Sequence, residues 1–444
     1  MKIHFIGIGG IGVSALAQYY LQKGHEVSGS DLAQSEITDA LAKQGIKIII
    51  GNNAGNISTD FDLVIYSPAV QANNSEFVAA KTHSIKLQSY PKALGQLTKE
   101  YYTVAVAGSH GKSTTTAMTA LILIRAGLDP TVIVGTKLKE FGDSNFRAGN
   151  SKYLVIEACE YDSSFAQYFP KITVVTNIDK EHLDYFKTFG NVIRAFKSFI
   201  LKLSADGFLV ANKDDRQLQK VINHKFQITN KFKILKYGLK QKESTRLKKI
   251  LKIPGKHNIS NALAALSVAR ILGVKDSVSF ASLAEYKGSW RRFEVREGSI
   301  DGNPSTRLKA RKITVISDYG HHPTEVLATL QAAREKYNSK KIWCIFQPHQ
   351  HQRTHYLFLD FVKLFRKIPI DNVIITDIYD VAGREEEKIN KNTSSELLVK
   401  KIARKNVSYM TLSDAEKFVK ENIKSAQVLI IMGAGDIYKL ADKF

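Results

Sequence analysis

Only two cysteines occur in 444 residues, and Cys159 and Cys344 lie in separate apolar stretches far apart in the chain. That spacing excludes a disulfide framework and a cysteine-based zinc site, and predicts two reduced core residues. Long hydrophobic runs are missing too: none reaches the roughly 18 residues needed to cross a bilayer. The N-terminus opens on a strand and a glycine turn, not on a charged leader with a cleavage site. These absences predict a cytoplasmic protein. Acidic residues are scarce against basic ones, 42 Asp and Glu facing 64 Lys and Arg, for a formal charge of +22. The excess is uneven. Residues 1–98 hold seven basic and seven acidic side chains, residues 99–290 hold 30 and 16, and residues 291–444 hold 27 and 19. No basic stretch is interleaved with aromatics, so scattered lysines such as Lys233, Lys236, Lys240 and Lys242 read as a solvated face, and no nucleic-acid partner is expected.

A chain of this length exceeds one hydrophobic core, and it divides into three segments that each open on a strand and a polar or glycine turn. In the first, the apolar run 2–6 leads into Gly7-Ile-Gly9-Gly10-Ile-Gly12, a helical stretch to Lys23, and a strand over 26–30 closed by Asp31. This is the dinucleotide-fold fingerprint: glycines allow a tight turn, pyrophosphate sits at the helix N-terminus, and the acid about 20 positions on can meet a ribose hydroxyl. The motif does not distinguish NAD from another nucleoside diphosphate. A strand over 63–66 ends in Ser67, either a ligand contact at the carboxyl edge of the sheet or a plain turn residue.

The second segment opens on the run 102–106, followed by Gly108-Ser109-His110-Gly111-Lys112-Ser113-Thr114. Two glycines let successive N–H groups curl toward phosphate oxygens, and the helix that follows adds its positive end. Lys112 would neutralise the terminal phosphates of ATP and Ser113 would offer its hydroxyl to Mg²⁺. Only Ser109 and His110 separate Gly108 from Gly111-Lys112, where the usual phosphate loop has four residues. A strand over 152–156 delivers Glu157, Glu160 and Asp162, and another over 172–176 delivers Asn177, Asp179, Glu181 and His182. Oxygen ligands beside phosphates suit Mg²⁺; Glu157 is the first choice and Glu160 the next. His182 reads as a metal ligand or as a helix-start residue. Residues 207–250, Lys-rich with short apolar alternations, predict a β-rich elaboration at the edge of the domain. At the entrance of a helical run over 262–272, Asn258 and Asn261 either hold a nucleotide base or cap the helix.

In the third segment, after Arg291-Arg292-Phe293, four strands end in polar turns: Asp318-Tyr-Gly-His321-His322-Pro323, Gln347-Pro-His349-Gln-His351-Gln-Arg353, Asp377 with Asp380 nearby, and Gly433-Ala-Gly435-Asp436. In open α/β sheets that edge receives the ligand. The histidines are split between two loops without the helical spacing of a zinc site, which favours substrate handling over zinc.

These motifs, in this order, resemble the Mur ligase family, ATP-dependent amide-forming enzymes of peptidoglycan synthesis. The resemblance spans nearly the whole chain and rests on eight motifs: Gly7-Ile-Gly-Gly10, Gly108-Ser-His-Gly-Lys112, Thr176-Asn-Ile with Glu181-His-Leu-Asp184, His257-Asn-Ile-Ser-Asn261, Arg291-Arg-Phe293, Asp318-Tyr-Gly-His-His-Pro323, Phe346-Gln-Pro-His349 and Gly433-Ala-Gly-Asp436. It implies an α/β chain of three domains: a Rossmann-like UDP-binding domain over 1–98, a central P-loop ATPase domain with a mostly parallel sheet over 99–290, and a C-terminal Rossmann-like α/β domain over 291–444. The branch it is most similar to joins L-alanine to UDP-N-acetylmuramate through an acyl phosphate. So read, residues 108–114 hold ATP, Asn258 and Asn261 serve the nucleotide, and Ser113, Glu157 and His182 hold Mg²⁺. Lys112, Arg292 and Asp318 complete the ATP site, Arg292 and Asp318 arriving by domain closure. Gly7, Gly9, Gly10 and Gly12, with Asp31 and Ser67, hold the UDP sugar. His321, His322 or His349 accepts the amine proton, or these histidines and Arg353 orient the alanine carboxylate. One stretch departs from the family: its Glu-Ala-Asp-Glu-Ser-Asp is here Glu157-Ala-Cys159-Glu160-Tyr161-Asp162. Tyr161 there is similar to the branch that attaches a preformed tripeptide, whereas Phe346-Gln-Pro-His349 is not. Two readings from other classes are an NAD oxidoreductase and a P-loop nucleotide-dependent binding protein. The residues leave monomer and homodimer open.

Overall fold

Runs of Val, Ile and Ala that alternate with helical stretches build parallel strands buried on both faces, the pattern of α/β sheets. The computed structural model describes residues 1–223, 232–300, 310–380 and 393–444. It holds three sheets, in two compact units: residues 1–180, 189–250 and 260–285 form the first, and residues 181–188, 251–259 and 286–444 the second.

The first unit carries two sheets. One has strands β1 (Lys2–Ile6), β2 (Glu26–Asp31), β3 (Lys47–Ile50), β4 (Leu63–Tyr66) and β5 (Leu87–Ser89), all parallel, in the order β3-β2-β1-β4-β5. The order reverses between β1 and β4, and a crevice at such a reversal is where α/β sheets bind ligands. The other sheet has strands β6 (Tyr102–Ala107), β7 (Thr131–Leu138), β8 (Ser144–Arg147), β9 (Tyr153–Glu157), β10 (Ile172–Val175), β11 (Phe208–Asn212) and β12 (Lys233–Tyr237), in the order β12-β11-β10-β6-β9-β7-β8. Only the β7–β8 pair is antiparallel. Strand β6 therefore lies between β10 and β9, which places the loop after β6 between the two acid-bearing strand ends. Beneath this edge Phe165 stacks on Phe199, centroids 4.6 Å apart, and meets Phe196 edge-on.

The second unit holds β13 (Glu294–Ile300), β14 (Arg311–Asp318), β15 (Ile342–Phe346), β16 (Asn372–Ile375), β17 (Val407–Tyr409) and β18 (Val428–Met432), in the order β13-β14-β18-β15-β16-β17. β13 runs antiparallel at the edge and the rest are parallel. Pro323 opens the helix Pro323–Lys336 as expected, since its missing N–H costs nothing there.

Residues 207–250 are not a β-rich elaboration. Apart from 224–231, which lie outside the described residues, they form β11, the helix Arg216–Asn223, β12 and the helix Glu243–Ile250, extending the parallel sheet. Leu218, Val221 and Ile222 bury one face of the first helix beneath a polar exterior that hides its spacing in the sequence. Cys344 is buried in β15, whereas Cys159 is a partly exposed turn residue after β9, not a core residue. Its sulfur is nonetheless desolvated, and this and the Glu160 carboxylate push the thiol up to about 12, so it stays protonated. Among the described residues no helix is long and apolar enough to cross a membrane.

His4 illustrates the cost of polar groups inside β1. It is 0% exposed, stacks on Phe61 with centroids 5.0 Å apart, and meets the Ser28 hydroxyl at 2.9 Å through Nδ1. Burial, helped by Lys47, pushes its imidazole from 6.5 down to about 4. A folded value below the unfolded one means folding favours the neutral ring. Stability is then complete above pH ~6.5 and falls as the pH drops toward ~4, by about 3 kcal/mol in total. Denaturant midpoints at neutral pH and near pH 4.5 should record this loss, and His4→Gln should lose less between the two.

Candidate active site

The chain leaves β6 through Gly108, at φ +137°, and Gly111, at φ +82°, where the helix Lys112–Arg125 begins. Gly108 is required by space as well as by backbone: a Cβ there would stand 1.9 Å from Thr176 Oγ1. The end of β10 holds the loop from the other side. Thr176 Oγ1 donates to the His110 carbonyl at 2.6 Å, Ser109 N donates to the Asn177 carbonyl at 3.1 Å, and His110 N donates to Asn177 Oδ1 at 2.9 Å. Asp179 N donates to Ser109 Oγ at 2.8 Å, and Asp179 Oδ2 meets His110 Nε2 at 3.0 Å. The amides of Ser109 and His110 are thus committed to shaping the loop. No side chain caps the helix and its first turn carries no acid, so its start offers amide donors to an anion. Ser113 and Thr114 are buried in that turn.

Lys112 Nζ lies 2.9 Å from Glu160 Oε2 and donates to the Gly108 carbonyl at 2.7 Å. Burial opposes its charge, yet Glu160 foremost, with Glu157, raises its affinity for the proton above the usual value, so it is a firm ammonium. Glu157 ends β9 half-buried, and its Oε2 accepts from Gly135 N at 2.9 Å. Asn261 packs against the loop: a Cβ on Gly111 would be 2.5 Å from Asn261 Oδ1. Asn258, one turn earlier on the helix Lys256–Ile271, donates to the Pro254 carbonyl at 2.7 Å and so ties the helix entrance to the chain before it.

At the reversal point of the first sheet, the Gly7 and Ile8 amides donate to the Ser30 carbonyl at 2.9 and 3.0 Å. Asp31 Oδ2 accepts from Gly9 N at 2.8 Å, so the expected ribose acid also braces the glycine turn. Ser67 N donates to the Ile6 carbonyl at 2.9 Å, and a Cβ on Gly7 would touch the Ser67 side chain at 2.9 Å, which puts the two loops against each other. Gly10 precedes the helix Ile11–Gln22, and Gly12 within it makes room for Tyr90, whose hydroxyl a Cβ would meet at 2.7 Å.

The second unit gathers the remaining candidates along its carboxyl edge. Asp318 Oδ2 accepts from Phe293 N at 2.8 Å, and Oδ1 accepts from Gly320 N at 2.9 Å and from the Thr329 hydroxyl at 3.1 Å. Both oxygens therefore hold the Arg292 turn, the His321 loop and the following helix together, a positioning role the sequence did not reveal. Asp318→Ala should strand three buried donors and lower the stability of this unit by about 3 kcal/mol or more, readable as a shifted denaturant midpoint. Arg292 lies over the Tyr319 ring, 4.8 Å from its centroid. Its neighbour Arg291, which sequence reasoning passed over, is buried and donates to the Gly433 and Gly435 carbonyls at 2.5 and 3.1 Å.

His322 caps the helix Pro323–Lys336, accepting from Thr324 N through Nδ1 at 3.2 Å. His349 stacks on Tyr379 and meets Arg353 Nη1 at 3.1 Å through Nδ1. Glu181 is the residue that binds this group and that sequence reasoning left unassigned. Buried, it stands 3.4 Å from Arg353 and 3.9 Å from the rings of His182 and His321. Burial would raise its carboxyl, but Arg353 and the histidines at 322, 182 and 321 hold it well below the usual carboxylate range. His182 precedes the helix Leu183–Phe186 without capping it, at φ +54°. Burial, and then Arg353, push His321 down to about 4. Near neutral pH it is an uncharged ring that can accept a hydrogen bond from an amine but is too weak a base to store its proton. Of the candidate metal ligands, Ser113 and Glu157 belong to the first unit and His182 to the second.

Comparison with known proteins covers the chain end to end. Residues 2–102 match the Mur ligase family catalytic domain, residues 106–269 the Mur ligase middle domain, and residues 291–435 the Mur ligase glutamate ligase domain. A UDP-N-acetylmuramate–L-alanine ligase of Caldanaerobacter subterraneus subsp. tengcongensis is 40% identical over 470 residues, spanning 100% of this chain and 97% of that protein. One from Clostridium kluyveri is 38% identical over 469 residues, with the same coverage. Among solved structures, a UDP-N-acetylmuramate–alanine ligase from Thermotoga maritima superposes with a TM-score of 0.78 at 28% identity, covering 100% of this chain and 98% of that one. A murein peptide ligase from Psychrobacter arcticus shares the fold, with a TM-score of 0.72 at 21% identity over 100% of this chain and 98% of that one. The three-domain α/β architecture is that of these ligases, and the chain belongs to the Mur ligase family.

Proposed function

We propose that this chain is an ATP-dependent ligase that joins L-alanine to the muramoyl carboxylate of UDP-N-acetylmuramate, in peptidoglycan precursor synthesis in the cytoplasm. The observation that carries the reading is the loop after β6: Lys112 starts an uncapped helix between acid-bearing strand ends, in a chain aligned along its whole length with UDP-N-acetylmuramate–L-alanine ligases. In this reading the domains are 1–98, 99–290 and 291–444, the Gly7–Gly12 turn takes the UDP sugar and the loop 108–114 takes ATP.

A carboxylate attacking a triphosphate brings anion against anion, so charge must be offset before the atoms approach. Lys112 does this at the loop, and Arg292 adds a second cation. The hard oxygens of Ser113 and Glu157 suit Mg²⁺; when bound, the ion would supply more charge offset. A carboxylate oxygen bonds to the γ-phosphorus as the bond to ADP breaks, giving an acyl phosphate. The alanine amine then attacks the acyl carbon, and the phosphate departs with that oxygen and carries off the proton the amine loses. Arg353, which contacts Glu181 and His349, is our candidate, with the histidines, for the alanine carboxylate. His321 accepts a hydrogen bond from the amine.

Phosphate release with single omissions tests the reading. Release should require ATP, Mg²⁺, UDP-N-acetylmuramate and L-alanine together. Activity only with the tripeptide would move the chain to the peptide-attaching branch, and turnover driven by nucleic acid and indifferent to amino acids would overturn the ligase reading.

A further inference from the structure

Glu160 follows β9, next to the strand that carries the phosphate loop, and its side chain is 0% exposed. A carboxylate taken out of water is costly unless paired. It pairs with Lys112, among other contacts, the Nζ lying 2.9 Å from Oε2 and 3.2 Å from Oε1. The same ammonium donates to the Gly108 carbonyl at 2.7 Å and to the Ser109 carbonyl at 3.2 Å. Its donor capacity is therefore filled by protein oxygens, and the side chain folds back over its own loop. A triphosphate in this loop needs that ammonium and lies within a few ångströms of the carboxylate, so Glu160 competes for Lys112 and repels the nucleotide.

We infer that Glu160 is a positioning residue that acts through Lys112: it aims the ammonium along the loop and sets nucleotide affinity below what the loop alone would give, so that ADP leaves after each turnover. The inference rests on the ATP-ligase reading above. It is an alternative to a metal-ligand role for Glu160, whose two oxygens lie 2.9 and 3.2 Å from the lysine Nζ. Tight binding of ground state and product does not raise turnover, so a resident competitor has a kinetic use.

The test measures the affinity of the full-length protein for ADP with Mg²⁺ by calorimetry, together with kcat and KM for ATP. Glu160→Gln, of the same shape without the charge, should bind ADP about tenfold more tightly, with lower KM and a kcat reduced about tenfold. Glu160→Asp keeps a carboxylate and should hold kcat within about threefold of the parent. A merely structural role would weaken nucleotide binding in both variants together with thermal stability. A folded Glu160→Gln protein with unchanged or weaker ADP affinity overturns the inference. If that variant does not fold, Glu160→Asp carries the test: its carboxylate is withdrawn by one methylene, so ADP should bind about threefold more tightly, and unchanged or weaker binding overturns it. A parent protein that binds no ADP at all contradicts the ATP reading instead.

Discussion

Lys112→Met is expected to lower phosphate release by about 10³-fold while UDP-N-acetylmuramate binds within about twofold of the parent. The large factor follows from removing a partly buried cation where negative charge collects. The small one follows from the separate location of the Gly7–Gly12 turn, on a different sheet. The variant also removes the ammonium beside the Glu160 carboxylate, 0% exposed, and breaking a buried ion pair by removing one side costs about 3–5 kcal/mol. The double variant Lys112→Met/Glu160→Gln separates the two effects. Its thermal midpoint should return most of the way to the parent while phosphate release stays low. Recovery of both together would mean that Lys112 acts only in folding.

Gly108→Ala should be the most damaging glycine-to-alanine change among the described residues. The residue stands at φ +137°, a region side chains rarely adopt, and the new Cβ would lie 1.9 Å from Thr176 Oγ1. Thr176 cannot simply turn away, because its hydroxyl holds the His110 carbonyl at 2.6 Å. A loss of about 3 kcal/mol or more, with ATP binding abolished, is the expected result, read by denaturant unfolding and calorimetry. Gly111→Ala should be milder. Its φ of +82° is also strained, but the atom met is Asn261 Oδ1 at 2.5 Å, the end of a side chain that can rotate. Thr176→Ala in the Gly108→Ala background should recover the steric part and leave the backbone part.

The strand ends that carry the site were legible because a buried parallel strand must be apolar and its carboxyl end must turn. The runs at 2–6, 63–66 and 342–346 coincide with β1, β4 and β15, and the polar turns after β6, β9, β14 and β15 stand where sequence reasoning put them. Which strands lie side by side was not legible. The pairing of Lys112 with Glu160 spans 48 residues and exists because β9 neighbours β6, a tertiary fact with no local signal. The roles of Asp318, Arg291 and Glu181 stayed hidden for the same reason: each is defined by backbone groups or side chains distant in sequence. Residues 207–250 misled because lysines on the outer faces of short helices mask their buried stripe.

The most direct test of the central claim follows an oxygen atom. UDP-N-acetylmuramate labelled with ¹⁸O in the muramoyl carboxylate is incubated with the enzyme, ATP, Mg²⁺ and L-alanine, and the masses of phosphate and nucleotide product are read. The account predicts one ¹⁸O in each phosphate released and a UDP product heavier by one alanyl residue. Phosphate free of label, or release without the alanyl product, would contradict it.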